Sequence, residues 1–566
     1  MTVRPADFPP PVAPGEFVTP PATTAEERID VGILIVGGGP AGLSAAIRAA
    51  QLLEDRPQVG DRLGEVPVCV VEKGRVPGSH VLSGAVVNPR GLKLLFPGMR
   101  ADDFPFYGAV EHESVYYLTP RRAFRIPPPP TMLNAGNYVA SMSRLTRWLA
   151  ERAEELGVTI VPETAATKLL VDGGRLVGVR TGDRGRGRDG EELANFEPGS
   201  DIVARATILA EGTLGHLTRT AIERFGLAGA SPQRYALGVK EVWEVAKPLD
   251  RIIHTMGWPL RGGSRWQEFG GSFIYPMGEE LVALGLVVGL DYTDASLSVH
   301  DLLQELKLHP LVREILDGGT RVGWGAKTIP EGGLQALPRK LHFPGGMIVG
   351  DGAGLVNVPA LKGIHYAIRS GMLAAETALD AVGPGATAWT PGELESYDQA
   401  VRESFIWQDL ERVRNMRPAF TKGFVAGSVI SGLATASFGR LPPKDILVEA
   451  DADAPVGERQ AERSYPAPDG VLTFDKLSSV YLSGNKTRDD APDHIRIQKR
   501  VPRELAEAWV SMCPAKVYEI VEDAGANGSV NVEVTASNCV QCGAITAKGG
   551  RLTLPEGGDG PDYTVM

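Results

Sequence analysis

The apolar run Ile33-Leu34-Ile35-Val36 stops at Gly37-Gly38-Gly39-Pro40-Ala41-Gly42, and a small-residue helix follows from Leu43 to about Ala50. This strand, glycine turn and helix match G-x-G-x-x-G in the context that makes the pattern meaningful. Gly37 permits the tight turn, Gly39 lets the backbone approach a pyrophosphate, and Gly42 allows close helix–strand packing. The helix opened by Pro40 and Ala41 turns its N-terminus toward anionic phosphates. A second β run, Pro67 to Val71, ends at Glu72, whose carboxylate can accept a ribose hydroxyl hydrogen bond. The separation from Gly42 to Glu72 exceeds the roughly 20 residues usual for this partner, and the excess is assigned to a loop over Glu54–Glu65. In a chain with 68 glycines a lone glycine pattern carries little weight; the flanking strand and the acid give it specificity.

Two further glycine motifs decide which dinucleotide is expected. Glu211-Gly212 ends the run Ile202–Ala210, and Gly350-Asp351-Gly352-Ala353-Gly354 follows Met347-Ile348-Val349. Asp351 there can hold ribityl hydroxyls while a helix N-terminus faces the pyrimidine end of a flavin. In this order the three motifs point to one non-covalent FAD site on a Rossmann-type α/β sheet. No second strand–GxGxxG–helix unit with an acidic ribose partner is visible, so no NAD(P) site is expected and the electron source must lie elsewhere.

The 566 residues allow two to four domains. A net charge of −11 argues against nucleic acid as a partner, which needs a basic face. It argues equally against membrane attraction built on lysine and arginine. Residues 1–28 are proline-rich and polar, read as a disordered leader without a secretory h-region. The FAD-binding domain is expected over 29–230, with helical spacing over Ala140–Leu156, a hairpin at Leu169–Val179 and an exposed loop at Thr181–Ser200. A β-rich module follows over 231–345, and the FAD domain returns over 346–447. A polar linker, 448–467, leads to a C-terminal domain over 468–566.

Three of the four cysteines, Cys513, Cys539 and Cys542, fall in that last domain. Thiolates at C-x-x-C spacing, with a Cys-Pro pair elsewhere, suit a ferredoxin-type centre. Zinc is the alternative metal, and reduced core thiols the alternative without one. Cys69 sits on a nucleotide-domain strand and is not expected to join them.

The sequence resembles the electron transfer flavoprotein–ubiquinone oxidoreductase family from Val31 nearly to its end. The resemblance rests on His80-Val81-Leu82-Ser83-Gly84-Ala85, His254-Thr255-Met256-Gly257-Trp258-Pro259, Gly270-Gly271-Ser272-Phe273, Leu281–Tyr292, Lys362-Gly363, Cys513-Pro514-Ala515 and Asn538-Cys539-Val540-Gln541-Cys542. It implies a membrane-surface enzyme that passes electrons from reduced electron transfer flavoprotein, a soluble protein carrier, through FAD and an iron–sulfur cluster to ubiquinone. The donor is then a protein, which answers the missing NAD(P) site. It also implies a ferredoxin-like C-terminal α+β domain and a quinone pocket at Gly270 and Gly271. Lys73, Gly84 and Gly363 complete the candidate cofactor contacts. No nucleophile or proton-abstracting dyad is expected, because the flavin carries the chemistry.

One position departs from the family. The cluster motif continues C-x-x-C-x-x-C, but its third place is Ile545, which cannot ligate iron. Three outcomes follow: a [4Fe–4S] cluster with water or an oxygen such as Thr546 on the odd iron, a [3Fe–4S] cluster, or no cluster. A last feature is Gly423–Gly439, free of charge between Lys422 and Arg440. It is shorter than the roughly 20 residues of a spanning helix, so it reads as a buried helix or one dipping into a leaflet. The resemblance favours the latter, with the chain monotopic on the cytoplasmic face of a bacterial inner membrane or its organelle equivalent. A rival of the same fold is an FAD-dependent reductase or hydroxylase acting on a lipid or isoprenoid. A rival of another class is a non-enzymatic docking partner that binds FAD without reducing quinone.

Overall fold

The computed structural model describes residues 3–24, 28–261, 267–381, 394–457, 463–522 and 528–566. Val31 to Val36 are all buried, as the continuous apolar run of a central parallel strand requires. The strand Arg28–Val36 pairs in parallel with Val68–Val71 on one side and Asp201–Leu209 on the other. Thr159–Val161 and Gly346–Ile348 extend this parallel array outward. The hairpin Ala166–Asp172 with Arg175–Thr181 completes most of a nine-stranded sheet. Strands from both ends of the span 28–348, among them Arg28–Val36 and Gly346–Ile348, therefore share one nucleotide sheet. Helices Pro40–Asp55 and Ile364–Ala381 pack together across it. A Cβ at Gly371 would strike the Ala41 carbonyl, so that contact needs the glycine.

The second sheet has seven strands in the order Thr320–Pro330, Tyr235–Glu244, Leu281–Gly289, Gly270–Met277, Ile252–Gly257, Glu113–Leu118 and Ala123–Ile126. Its last two strands come from before residue 231, so the β-rich module is wider in sequence than its expected 231–345 span. Glu113–Leu118 joins in parallel beside Ile252–Gly257. The C-terminal region folds as a three-stranded antiparallel sheet with the helix Arg503–Met512. Its Trp509, Met512 and Ile545 share one apolar core with Trp243, Leu302 and Trp324 of the second sheet and its covering helix.

Four local expectations are corrected. Glu54–Glu65 is mostly the helix Pro57–Leu63, opened by its proline. Thr181–Ser200 contains the hairpin Arg184–Arg186 with Glu192–Glu197, where Arg186 lies over the Phe196 ring at 4.5 Å. The described part of the leader is ordered: Val18 and Thr19 pair with Leu169 and Leu170, and Ala22 N–H donates to Asp201 at 2.7 Å. Proline lowers the entropy lost on docking such a segment, so a few contacts suffice. The described part of 448–467 is also docked: Asp451 accepts from Tyr235 N–H at 2.7 Å, and Tyr465 Oη donates to Ser296 O at 3.0 Å. Residues 25–27 of the leader segment and 458–462 of the linker lie outside the described residues.

Candidate active site

A continuous cavity of about 1540 Å³ runs between the two sheets. At its nucleotide end Gly37 has φ +110°, and a Cβ there would approach Ala210 O at 2.5 Å. A Cβ at Gly42 would strike Gly37 O, which gives that glycine a packing role outside the cavity lining. Gly39 differs: nothing lies within 4 Å of its missing Cβ. It caps the helix at Pro40 without any side-chain hydrogen bond, so the first-turn N–H groups beside Ala41 face open space. Glu72 is held by Gly38 N–H at 2.8 Å and Gly74 N–H at 2.6 Å, which aims its carboxylate along the cavity wall.

The later motifs converge on the same space with altered duties. Glu211 lines the cavity, yet its oxygens accept from Leu217 N–H at 3.0 Å and Thr218 N–H at 2.6 Å, tying down the helix His216–Arg224. Gly212, with φ +75°, has open space where a Cβ would stand. Gly350 sits behind the wall, its N–H donating to Ser370 Oγ at 3.0 Å. Asp351 lines the cavity with Thr213, and burial pushes its carboxyl up to about 6. The long helix does not follow the glycine turn directly. It begins at Ile364, after a loop that returns Gly363 to Asp351: a Cβ there would lie 3.6 Å from Asp351 Oδ1. Gly84 lines the far wall against Tyr275.

Lys73 lines the cavity and is half-buried. Its amine bonds to Gln541 Oε1, and desolvation together with nearby Lys327 lowers it to about 8. Gln541 stands between two of the cysteines and, with Gly543, lines the cavity, so the cysteine turn abuts the cofactor space. Lys327 Nζ donates to Gln541 O at 3.1 Å, and Thr328 N–H to Cys542 O at 2.9 Å.

The other end of the cavity is built by the second sheet. Gly270 and Gly271 line the cavity from the strand Gly270–Met277. A Cβ on Gly270 would strike Val287 O, and one on Gly271 would come within 2.5 Å of Thr255 O. Beside them Thr255 and Ser272 share a hydroxyl hydrogen bond at 2.5 Å, and His254 Nε2 meets Tyr275 Oη at 2.7 Å. Sequence reasoning passed over Lys240 and quoted Lys362 only within the Lys362-Gly363 motif; both are buried on the cavity wall. Burial lowers Lys240 to about 7, and its Nζ donates to Ser83 O at 2.9 Å. A charged residue inside the apolar run Tyr235–Trp243 was the available signal.

Beyond Gly271 the cavity reaches the helix Phe424–Ala436 and its neighbour Phe420. That helix is apolar but only two of its residues are buried, Gly427 and Ala434. Val425 is 77% exposed, Val429 60% and nearby Phe438 75%. No described helix is long and apolar enough to cross a membrane.

The cysteines sit at the ends of short elements. Cys513 ends the helix Arg503–Met512, and Cys539 and Cys542 occupy the turn before Ala544–Ala547. Burial raises all three thiols. Cys69 pairs in register with Leu34 and Thr159 inside the nucleotide sheet, a core thiol. Ile545 is buried in the shared core. Among the described residues no three His, Cys, Asp or Glu side chains gather to hold a single metal ion. Cluster thiolates bind different irons, so that finding bears on zinc and leaves a cluster open.

The helix N-terminus without a side-chain cap and the open faces of Gly39 and Gly212 beside the cavity fit FAD. Three thiols and an isoleucine do not fit a cluster held by four cysteines. Fold and site thus define a flavin-dependent oxidoreductase of the Rossmann type.

Comparison with known proteins narrows the class. Residues 235–329 match the family model for the ubiquinone-binding region of ETF-QO. Residues 470–564 match that of the electron transfer flavoprotein-ubiquinone oxidoreductase 4Fe-4S domain, and 96–241 an FAD binding domain. The mitochondrial electron transfer flavoprotein-ubiquinone oxidoreductase of Arabidopsis thaliana is 40% identical over 95% of this chain and 85% of its own. The Pseudomonas aeruginosa enzyme of that name is 38% identical over 95% of this chain and 100% of its own. The chain belongs to the electron transfer flavoprotein–ubiquinone oxidoreductase family, oxidoreductases that carry electrons from electron transfer flavoprotein to ubiquinone through FAD and an iron–sulfur centre. A geranylgeranyl bacteriochlorophyll reductase-like protein of Thermoplasma acidophilum shares the fold, with a TM-score of 0.54 and 19% identity over 74% of this chain and 93% of its own.

Proposed function

We propose that the two ends of the cavity divide the reaction, with FAD lying along the nucleotide end and the ubiquinone head group reaching Gly270 and Gly271 from a membrane surface. The continuity of one cavity from the Gly39 turn to the exposed apolar helix Phe424–Ala436 supports this reading. When bound, FAD supplies the electron transfer. The chain positions it: the Gly37–Gly42 turn takes the pyrophosphate, Glu72 the ribose, and Asp351 with Thr213 the ribityl chain. Gly84, Gly212 and Gly363 keep the wall close to the ring system, while Lys73 and Glu211 brace its supports.

At the quinone end Tyr275 keeps its phenol proton, because burial pushes its pKa upward, and shares a hydrogen bond with His254. Val425, Val429, Leu433 and Phe438 would enter one leaflet, between Lys422 and Arg440 at the headgroups. In this reading the enzyme sits on a membrane surface without crossing it, on the cytoplasmic face in a bacterium or its equivalent in an organelle. Liposome flotation of the holoenzyme, alongside quinone reduction with reduced electron transfer flavoprotein as donor, tests both parts. Flotation with vesicles and turnover of a long-tailed quinone are expected. Protein that stays at the bottom of the gradient, yet reduces that quinone at an unchanged rate, would sink the membrane assignment.

A further inference from the structure

The odd position in the cysteine set carries an inference of its own, resting on the reading of this chain as an iron–sulfur flavoprotein. One sulfur accepts a backbone hydrogen bond: Gln541 N–H donates to Cys539 Sγ at 3.4 Å. Backbone N–H groups of Ala515, Lys516 and Val517 lie near Cys513, and that of Ala544 near Cys542. Hydrogen bonds to sulfur of this kind are part of how proteins hold and tune iron–sulfur clusters. One is made at Cys539 and backbone N–H groups lie close to the other two sulfurs, a setting that suits thiolate bound to metal.

The fourth corner is built differently. Ile545 is 4% exposed, and its Cγ1 would lie 2.6 Å from a Cβ at Gly550, beside Ile497. The side chain is thus committed to an apolar wall. Its neighbour Thr546 does not replace it: Thr546 Oγ1 accepts from Leu552 N–H at 2.8 Å, which holds that oxygen toward the strand Arg551–Leu552. A fourth iron at this corner would face methyl groups in place of a donor, and an iron without a protein ligand is the one a cubane releases.

We infer that Cys513, Cys539 and Cys542 hold a three-iron cluster, [3Fe–4S], with the corner beside Ile545 vacant. The three-iron core asks for one thiolate per iron, which is the donor set present.

The test uses the full-length holoenzyme purified anaerobically, with iron, acid-labile sulfide and FAD counted on one sample and low-temperature EPR before and after dithionite. About three irons and four sulfides per FAD are expected, with a signal in the oxidised protein that dithionite removes. The variant Ile545→Cys, reconstituted with ferrous iron and dithionite, should take up one more: [3Fe–4S]⁺ + Fe²⁺ + e⁻ → [4Fe–4S]²⁺. Its EPR signal should then appear only on further reduction. Ile545→Val, which keeps the apolar wall, should retain the three-iron signature. Four irons per FAD in the unaltered protein, with a signal only after reduction, would overturn the inference, and so would FAD-replete protein without iron. Flavin content and electron transfer to quinone on the same samples report separately on the family reading: full flavin and no turnover from electron transfer flavoprotein would count against that reading whatever the iron count.

Discussion

The two ends of the cavity use the same device, a glycine, for opposite purposes. At the quinone end the missing Cβ atoms of Gly270 and Gly271 make room for protein, the backbone oxygens of Val287 and Thr255. At the nucleotide end Gly42 does likewise, but Gly39 and Gly212 face open space and make room for a ligand. The difference separates glycines that hold the fold from glycines that admit the cofactor. The two sheets also differ in how charge is buried. Glu72 is held by backbone N–H groups, whereas the second sheet buries Glu241 against Lys307 at 2.9 Å and Arg321 at 3.2 Å.

The comparison breaks hardest at the charged cluster. Glu241→Gln leaves Lys307 and Arg321 buried without their counter-charge, so a loss of roughly 3–5 kcal/mol is expected in urea unfolding. Burial would raise the Glu241 carboxyl, but the attraction of Lys307 and Arg321 outweighs it and holds the group at about 2, below its ordinary value of 4.5. A depressed folded-state pKa stabilises above the unfolded value and is lost as pH falls through the folded one. Stability should therefore decline between about pH 5 and pH 2, and Glu241→Gln should flatten that part of the urea-midpoint profile.

Next comes Gly42→Ala, whose Cβ strikes Gly37 O; overpacking of about 1–3 kcal/mol should lower the melting temperature even without added FAD. Gly39→Ala sharpens the contrast, because its Cβ enters the cavity alone. Flavin affinity should fall by about tenfold or more, equivalent to about 1.4 kcal/mol, while the melting temperature of the flavin-free protein stays unchanged. Equal loss of apo stability in both variants would erase the distinction. The smallest effect is at the exposed helix: Val425→Ser alone should weaken vesicle binding by about 1 kcal/mol, leaving flavin content intact.

Much of the nucleotide end was legible in the chain, since Gly37 through Glu72 act within one local βαβ unit whose spacing carries the geometry. The glycine turn at Gly350 was legible as a motif, but the loop to Gly363 was not, because a loop's return path depends on what it packs against. The ordered leader escaped notice for a related reason. Proline-rich composition resembles disorder, and the pairing of Val18 with Leu169 is a long-range contact that no local pattern announces. Lys73 was named as a candidate cofactor contact and does line the cavity, but its partner Gln541 lies in the last domain, a long-range contact no local pattern announces.

The sequence by itself determined the Rossmann-type sheet, the FAD motifs, the three-cysteine set and the missing fourth ligand, since each is a local spacing or a side-chain chemistry that folding does not alter. Only the tertiary structure decided that one cavity joins the dinucleotide turn to Gly270 and to an exposed apolar helix. It alone decided that strands Glu113–Leu118 and Ala123–Ile126 cross into the second sheet and that Gln541 carries the cysteine turn to Lys73. The physical reason is that burial and pairing between distant segments are set by how whole layers pack, and packing is written in no single stretch of chain.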